Sequence, residues 1–102
     1  MMVIIPLFGE RISPHFSTAP EALVVESEGG CVSMHKLDLS SLSLSERKAK
    51  IVSLGADMIC CGGIDRATRN WFERKGIRVN YNLIGNAMEV VQRCLNAQGP
   101  FA

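Results

Sequence analysis

The chain has 102 residues and 11.2 kDa, one domain's length, and at this size roughly two-thirds of the extended chain's surface leaves water on folding without metal or disulfide staples. A hydrophobic fraction of 47% beside 21% charged residues excludes intrinsic disorder. Eleven Lys and Arg against ten Asp and Glu leave +1, which gives no electrostatic basis for wholesale binding to nucleic acid or an anionic membrane.

Residues 3–8, Val-Ile-Ile-Pro-Leu-Phe, form a nearly continuous apolar run, the pattern of a strand covered on both faces. Pro6 cannot donate to a ladder and is expected to mark where pairing stops. Residues 9–20 hold a glycine, two prolines and small polar residues, and read as one long loop of the kind that carries function. Residues 21–27 and 31–37 are two further strands, joined by Glu28-Gly29-Gly30 into a hairpin. Ser43 and Glu46 have capping-box spacing; Leu44, Ile51, Val52 and Leu54 follow near helical period, and Gly55 ends the helix. Residues 57–61 make a fourth, buried strand, after which Gly62-Gly63 turn the chain. Ile64, Ala67, Trp71 and Phe72 mark one face of a helix that stops at Gly76, and residues 77–80 are a short fifth strand. Asn86 and Glu89 repeat the capping pair ahead of a helix with Ala87, Val90, Val91, Cys94 and Leu95 inward.

The order β-β-β-α-β-α-β-α predicts an α/β domain: one mixed sheet with helices on both faces. The hairpin extends the sheet to one side of the first strand, and the parallel strands, joined by a right-handed crossover, extend it to the other. The first and fourth strands then lie side by side where the winding reverses, and ligands favour the crevice at such a reversal. That crevice is built from the loop after Phe8 and the turn after Cys61. A single domain, 1–102, is expected, with a core of about 3–96 and a frayed tail at 97–102.

No apolar run approaches the roughly 20 residues of a membrane helix, and the start lacks the basic and small-residue features of a signal peptide. A cytoplasmic setting follows as the expectation, with Cys31, Cys60, Cys61 and Cys94 as reduced thiols. Their spacing fits neither a zinc ribbon nor a C-x-x-C redox pair. Cys31 and Cys94 read as structural. No P-loop, HExxH or GxGxxG is present, and the three aspartates do not suggest a two-magnesium site.

The first loop, Gly-Glu-Arg-Ile-Ser-Pro-His-Phe, carries His15, whose neutral imidazole suits metal ligation or proton transfer but equally a surface histidine stacked on Phe16. Arg11 could balance an anionic ligand or simply be solvated. In Cys60-Cys61-Gly62-Gly63-Ile64-Asp65, alternation sends the two thiols to opposite faces, leaving open which one faces the crevice. Cys61 stands at the strand's end before two glycines and a helix start. That position predicts a lowered thiol pKa and free amides for an anion, or else a tight turn with a buried cysteine. Asp65 is placed to cap the helix.

Two segments together carry a resemblance. Residues 9–16 match the pattern G-x-x-[IV]-S-x-H-F, with Ser17 where a glycine is usual, and residues 56–64, Ala-Asp-Met-Ile-Cys-Cys-Gly-Gly-Ile, match A-D-x-[IV]-[IV]-C-G-G-[IM]. The chain resembles the nitrogenase accessory-factor family, also called the dinitrogenase iron–molybdenum cofactor biosynthesis family, from about Val3 to about Leu95. The resemblance implies a three-layer α/β/α ribonuclease-H-like fold with a five-stranded mixed sheet. It implies a non-catalytic carrier for an iron–sulfur or iron–molybdenum cluster, working with donor and acceptor proteins. His15 and Cys61 would be the metal ligands, with Arg11, Gly62 and Gly63 completing the cofactor site. The alternatives are a small-anion-binding regulatory module and, from fold alone, a metal-dependent nuclease.

Overall fold

The fold is a computed structural model that describes the backbone of residues 1–97 and side chains through residue 93. The strands are β1 (Met2–Phe8), β2 (Arg11–Ile12), β3 (Glu21–Glu28), β4 (Cys31–Asp38), β5 (Met58–Cys60) and β6 (Arg78–Asn80). The helices are α1 (Leu44–Leu54), α2 (Arg66–Arg74) and α3 (Ala87–Ala97). The main path of the sheet runs β4-β3-β1-β5-β6. β1 is antiparallel to β3 and parallel to β5, and β5 is parallel to β6, so the winding reverses at β1/β5 as the element order predicted.

The sheet has a sixth strand beyond the five expected. β2 folds back on the end of β1, pairing Leu7 with Ile12 and Phe8 with Arg11. The intervening turn is only Gly9-Glu10, and Gly9 takes the positive φ of 66° that such a reversal requires. The expected single loop is therefore a strand, a short crossing and one turn of 3-10 helix at Phe16–Thr18. Pro6 also departs from expectation. Pairing with β5 ends at Ile4, but pairing with β3 runs through Pro6 to Leu7.

Period-two alternation sorts the central strands onto two cores. Val3, Ile5, Met58 and Cys60 pack with Val90 and Val91 of α3, while Ile4, Val24, Ile59 and Cys61 pack with Ile51 of α1 and Phe72 of α2. Ser43 closes the expected capping box: its Oγ accepts from the Glu46 N–H at 3.2 Å and its own N–H donates to Glu46 Oε1 at 2.9 Å. Gly55 ends α1 in the left-handed conformation. Asn86 caps α3 by accepting from the Met88 N–H at 2.8 Å.

Two positions on the helices were misassigned. On α2 the buried partner of Phe72 is Thr68, and Ala67 is exposed. On α1 Leu44 is exposed while Arg47 takes the inward position four residues before Ile51. Cys31 and His35 lie exposed on β4, which is open to solvent along nearly all its length. The placements expected for the Cys94 and Leu95 side chains and for residues 98–102 lie outside what is described. No helix among the described residues is long and apolar enough to cross a membrane.

Candidate functional site

Because β1 and β5 are parallel neighbours, the loops that follow them leave the sheet at the same edge. They are sewn together there. The Gly63 N–H donates to the Pro14 carbonyl at 2.7 Å and the Phe16 N–H donates to the Gly63 carbonyl at 2.8 Å, a one-residue parallel bridge between His15 and Gly63. Ser13 anchors the approach, donating its buried N–H to Pro6 O at 2.9 Å and its Oγ–H to His15 O at 3.0 Å. The contact explains the paired glycines. A Cβ on Gly62 would collide with the Ser13 carbonyl oxygen, and one on Gly63 would sit 2.9 Å from Pro14 O and 3.1 Å from His15 Nδ1.

Two adjoining clefts open on either side of this seam. His15, Ser17, Gly63 and Asp65 line a depression of about 300 Å³, so the exposed imidazole stands over the glycine turn. Phe8, Arg11, Pro14, Gly62, Asn82 and Ile84 border a larger cleft of about 480 Å³. Its far wall is the segment 81–86, of which sequence reasoning read only Asn86, as a helix cap, and passed over 81–85 although Asn82 and Gly85 are turn formers. The wall is tied down on both sides. Asn82 N–H donates to Gly62 O at 2.8 Å, Leu83 N–H to Cys61 O at 3.0 Å, and Ile12 N–H to Gly85 O at 3.0 Å.

His15, Arg11, Gly62 and Gly63 thus come together at one edge. Cys61 does not join them at the surface. It is fully buried, among Phe16, Phe72 and Ile59, and Cys60 is equally buried on the opposite face. The expected thiolate is corrected with it: burial pushes the Cys61 thiol from near 9 up to about 12, because no neighbouring charge offsets the loss of water. Two other electrostatic expectations also change. The Gly63 amide is spent on Pro14, and the start of α2 already has its anion. Asp65 Oδ2 accepts from Thr68 N–H at 2.9 Å and Oδ1 from Thr68 Oγ1–H at 2.6 Å, bonds that hold the Asp65 carboxyl below its usual range.

Sequence reasoning missed Arg47 altogether. Its side chain is 4% exposed, and its guanidinium donates to four carbonyls: Phe16 O at 3.0 Å, Ala19 O at 2.8 Å, Leu39 O at 3.1 Å and Leu42 O at 3.4 Å. Its Nε has no partner, and burial lowers the guanidinium's pKa. Arg47 thereby clamps the 3-10 turn just after His15 onto α1. A lone arginine four residues before a core isoleucine on a helix was the available signal.

These features define a small α/β domain with a glycine-seamed double cleft at the carboxyl edge of its parallel strands. The chain belongs to the dinitrogenase iron–molybdenum cofactor family, whose description matches residues 1–97. Among solved structures it is similar to PH0822, with TM-score 0.86 and 23% identity over 95% of this chain and 90% of that one. It is similar to a candidate dinitrogenase from Methanocaldococcus jannaschii, with TM-score 0.72 and 23% identity over 98% and 90%. It is also similar to the apo form of the orange protein from Desulfovibrio gigas, with TM-score 0.76 and 20% identity over 95% and 88%. At these identities the likenesses establish the fold. No curated protein matches the chain.

Proposed function

We propose that this protein is a non-catalytic carrier that takes an iron–sulfur or iron–molybdenum cluster from a donor protein, holds it at the seam between the two loops, and passes it to an acceptor. The family points to metallocluster handling, and one observation supports the finer reading. His15, exposed and bridged to Gly63, stands beside the cleft that holds Arg11, so an imidazole ligand and a cation share one edge of the sheet. Among the described residues no group of three or more His, Cys, Asp or Glu could hold a metal ion, which does not suit a bare ion in a closed site. It suits an assembled cluster that brings its own sulfide ligands, is met by one imidazole and one guanidinium, and leaves again.

Cys61 supports this reading only from behind. It packs the floor of the site in the closed state and would reach a cluster only if the glycine seam parted. The anion-module alternative loses ground because Asp65 and Pro14 already use the groups an inorganic anion would seek. We read the two-faced core as the ribonuclease-H-like α/β/α arrangement the family resemblance implies.

The test is anaerobic loading with a synthetic iron–sulfur cluster, followed by gel filtration and iron, molybdenum and sulfide analysis. The parent protein retains cluster, and His15→Ala loses it by about tenfold or more, the least expected when a metal contact is removed. Equal retention by His15→Ala would refute the site.

A further inference from the structure

We infer that the larger cleft is a second binding site, for a small organic anion: a carboxylate or sulfonate on an aromatic or branched aliphatic body. It shares Arg11 and the two glycines with the cluster reading but not His15, the proposed metal ligand, which does not line that cleft.

The volume of about 480 Å³ falls within the range of small-molecule sites. Its walls are the wrong kind for plain solvent contact. Phe8 is 65% exposed and Ile84 is 83% exposed, and both border the same opening. Single exposed apolar side chains need no explanation, but two around one cleft, backed by Pro14 and Ile12, form a surface that gains by being covered. Among the described residues Arg11 is the one charged residue of the lining, with no carboxylate beside it in the cleft. Apolar walls around a single guanidinium select an amphipathic anion over a bare ion or a neutral hydrocarbon. Asn82 adds an amide at the rim.

The cleft is also preformed, so little binding free energy goes into ordering it. Segment 81–86 is fastened to the Cys61-Gly62 backbone on one side and to Ile12 on the other. Asn82 holds a left-handed φ of 61° and Gly85 one of 115°, and Ile84 between them borders the opening. The floor is Gly62-Gly63, held in place by the close approach of their backbone to Ser13 and Pro14.

The probe is naphthalene sulfonate, titrated into the full chain and followed by amide-resolved NMR, with naphthalene methanol and inorganic sulfate as comparators. Expected is saturable binding with shifts confined to residues 8–14, 62–63 and 82–86, and weaker binding of both comparators. Arg11→Gln weakens binding by about tenfold, the loss of one charge-assisted hydrogen bond. Ile84→Asp, at a solvent-facing position that leaves the core untouched, weakens it similarly. His15→Ala leaves it unchanged while lowering cluster retention, so the two sites fail separately. Shifts elsewhere, no saturation, or equal binding of the neutral comparator would each overturn the assignment.

Discussion

Replacing Arg47 by methionine tests whether the clamp beside His15 holds by its hydrogen bonds. The substitution keeps the unbranched apolar stem and removes the guanidinium, stripping buried donors from Phe16 O, Ala19 O and Leu39 O. Phe16 O and Leu39 O keep the Ala19 and Leu42 N–H groups as partners, which leaves only Ala19 O unpaired. A hydrogen bond from a charged donor contributes about 1.5–3 kcal/mol, so the three lost bonds fall at the low end, a gross loss of about 5 kcal/mol. Relief of the unpartnered Nε and of a buried charge with no carboxylate beside it returns about 2 kcal/mol. The net loss expected is about 3 kcal/mol, which in a domain of this length lowers the melting temperature by about 12–24 °C. Equilibrium urea unfolding reads it directly, provided the slope with denaturant matches the parent. Arg47→Lys recovers less than half, because one ammonium cannot span the four carbonyls the planar fork reaches. A loss under about 1 kcal/mol for Arg47→Met would show that water or rearranged backbone satisfies those carbonyls, and that the loop does not depend on the clamp.

Two further outcomes follow from the site. The Cys61 thiol ionises near 9 when unfolded and only near 12 when folded, so the folded state binds the extra proton between those values. Stability therefore falls as pH rises above about 9, by about 1.4 kcal/mol per pH unit, and a Cys61→Ala variant lacks that slope in urea titrations at stepped pH. Gly62→Ala drives a methyl into the Ser13 and Pro14 carbonyls and costs about 1–3 kcal/mol, with loss of the His15–Gly63 bridge visible in amide exchange; an unchanged exchange rate at Phe16 would contradict the seam.

Much of the architecture was legible because two periodicities carry it. The apolar run of β1 and the short run of β5 announce buried central strands, and the position of α2 between β5 and β6 makes that pair parallel. Capping chemistry at Ser43 and Asp65 is local and was readable for that reason. What escaped depends on contacts distant in sequence. β2 has only two residues, too few for alternation to register, and forms because Gly9 permits the reversal. Thr68 replaces Ala67 in the core because its hydroxyl is already bonded to Asp65, which removes the usual objection to burying it. Arg47 points inward because carbonyls from two other segments, 31 and 28 and then 8 and 5 residues away, converge on one place, and no window of sequence shows that convergence.

The burial of Cys61 has a further consequence for how a cluster could be held. Motif position marks the cysteine, but strand alternation decides its surroundings, and Cys61 falls on the α1/α2 face, among Phe16 and Phe72. To serve as a thiolate it would need the seam to open. Opening breaks the Gly63 N–H to Pro14 bond and the Phe16 N–H to Gly63 bond, at about 1 kcal/mol net each, and wets a core lined by two aromatic rings. On the carrier function proposed above, a site whose soft ligand is covered until the loops part would hold cargo by the exposed imidazole first and by sulfur second. Such an order favours exchange, since the outer contact forms and breaks without disturbing the core. Rapid alkylation therefore marks Cys31, which is exposed, and spares Cys60 and Cys61 in the resting protein. If Cys61 reacted with iodoacetamide as fast as Cys31 at neutral pH, the seam would be open at rest and this order of events would be wrong.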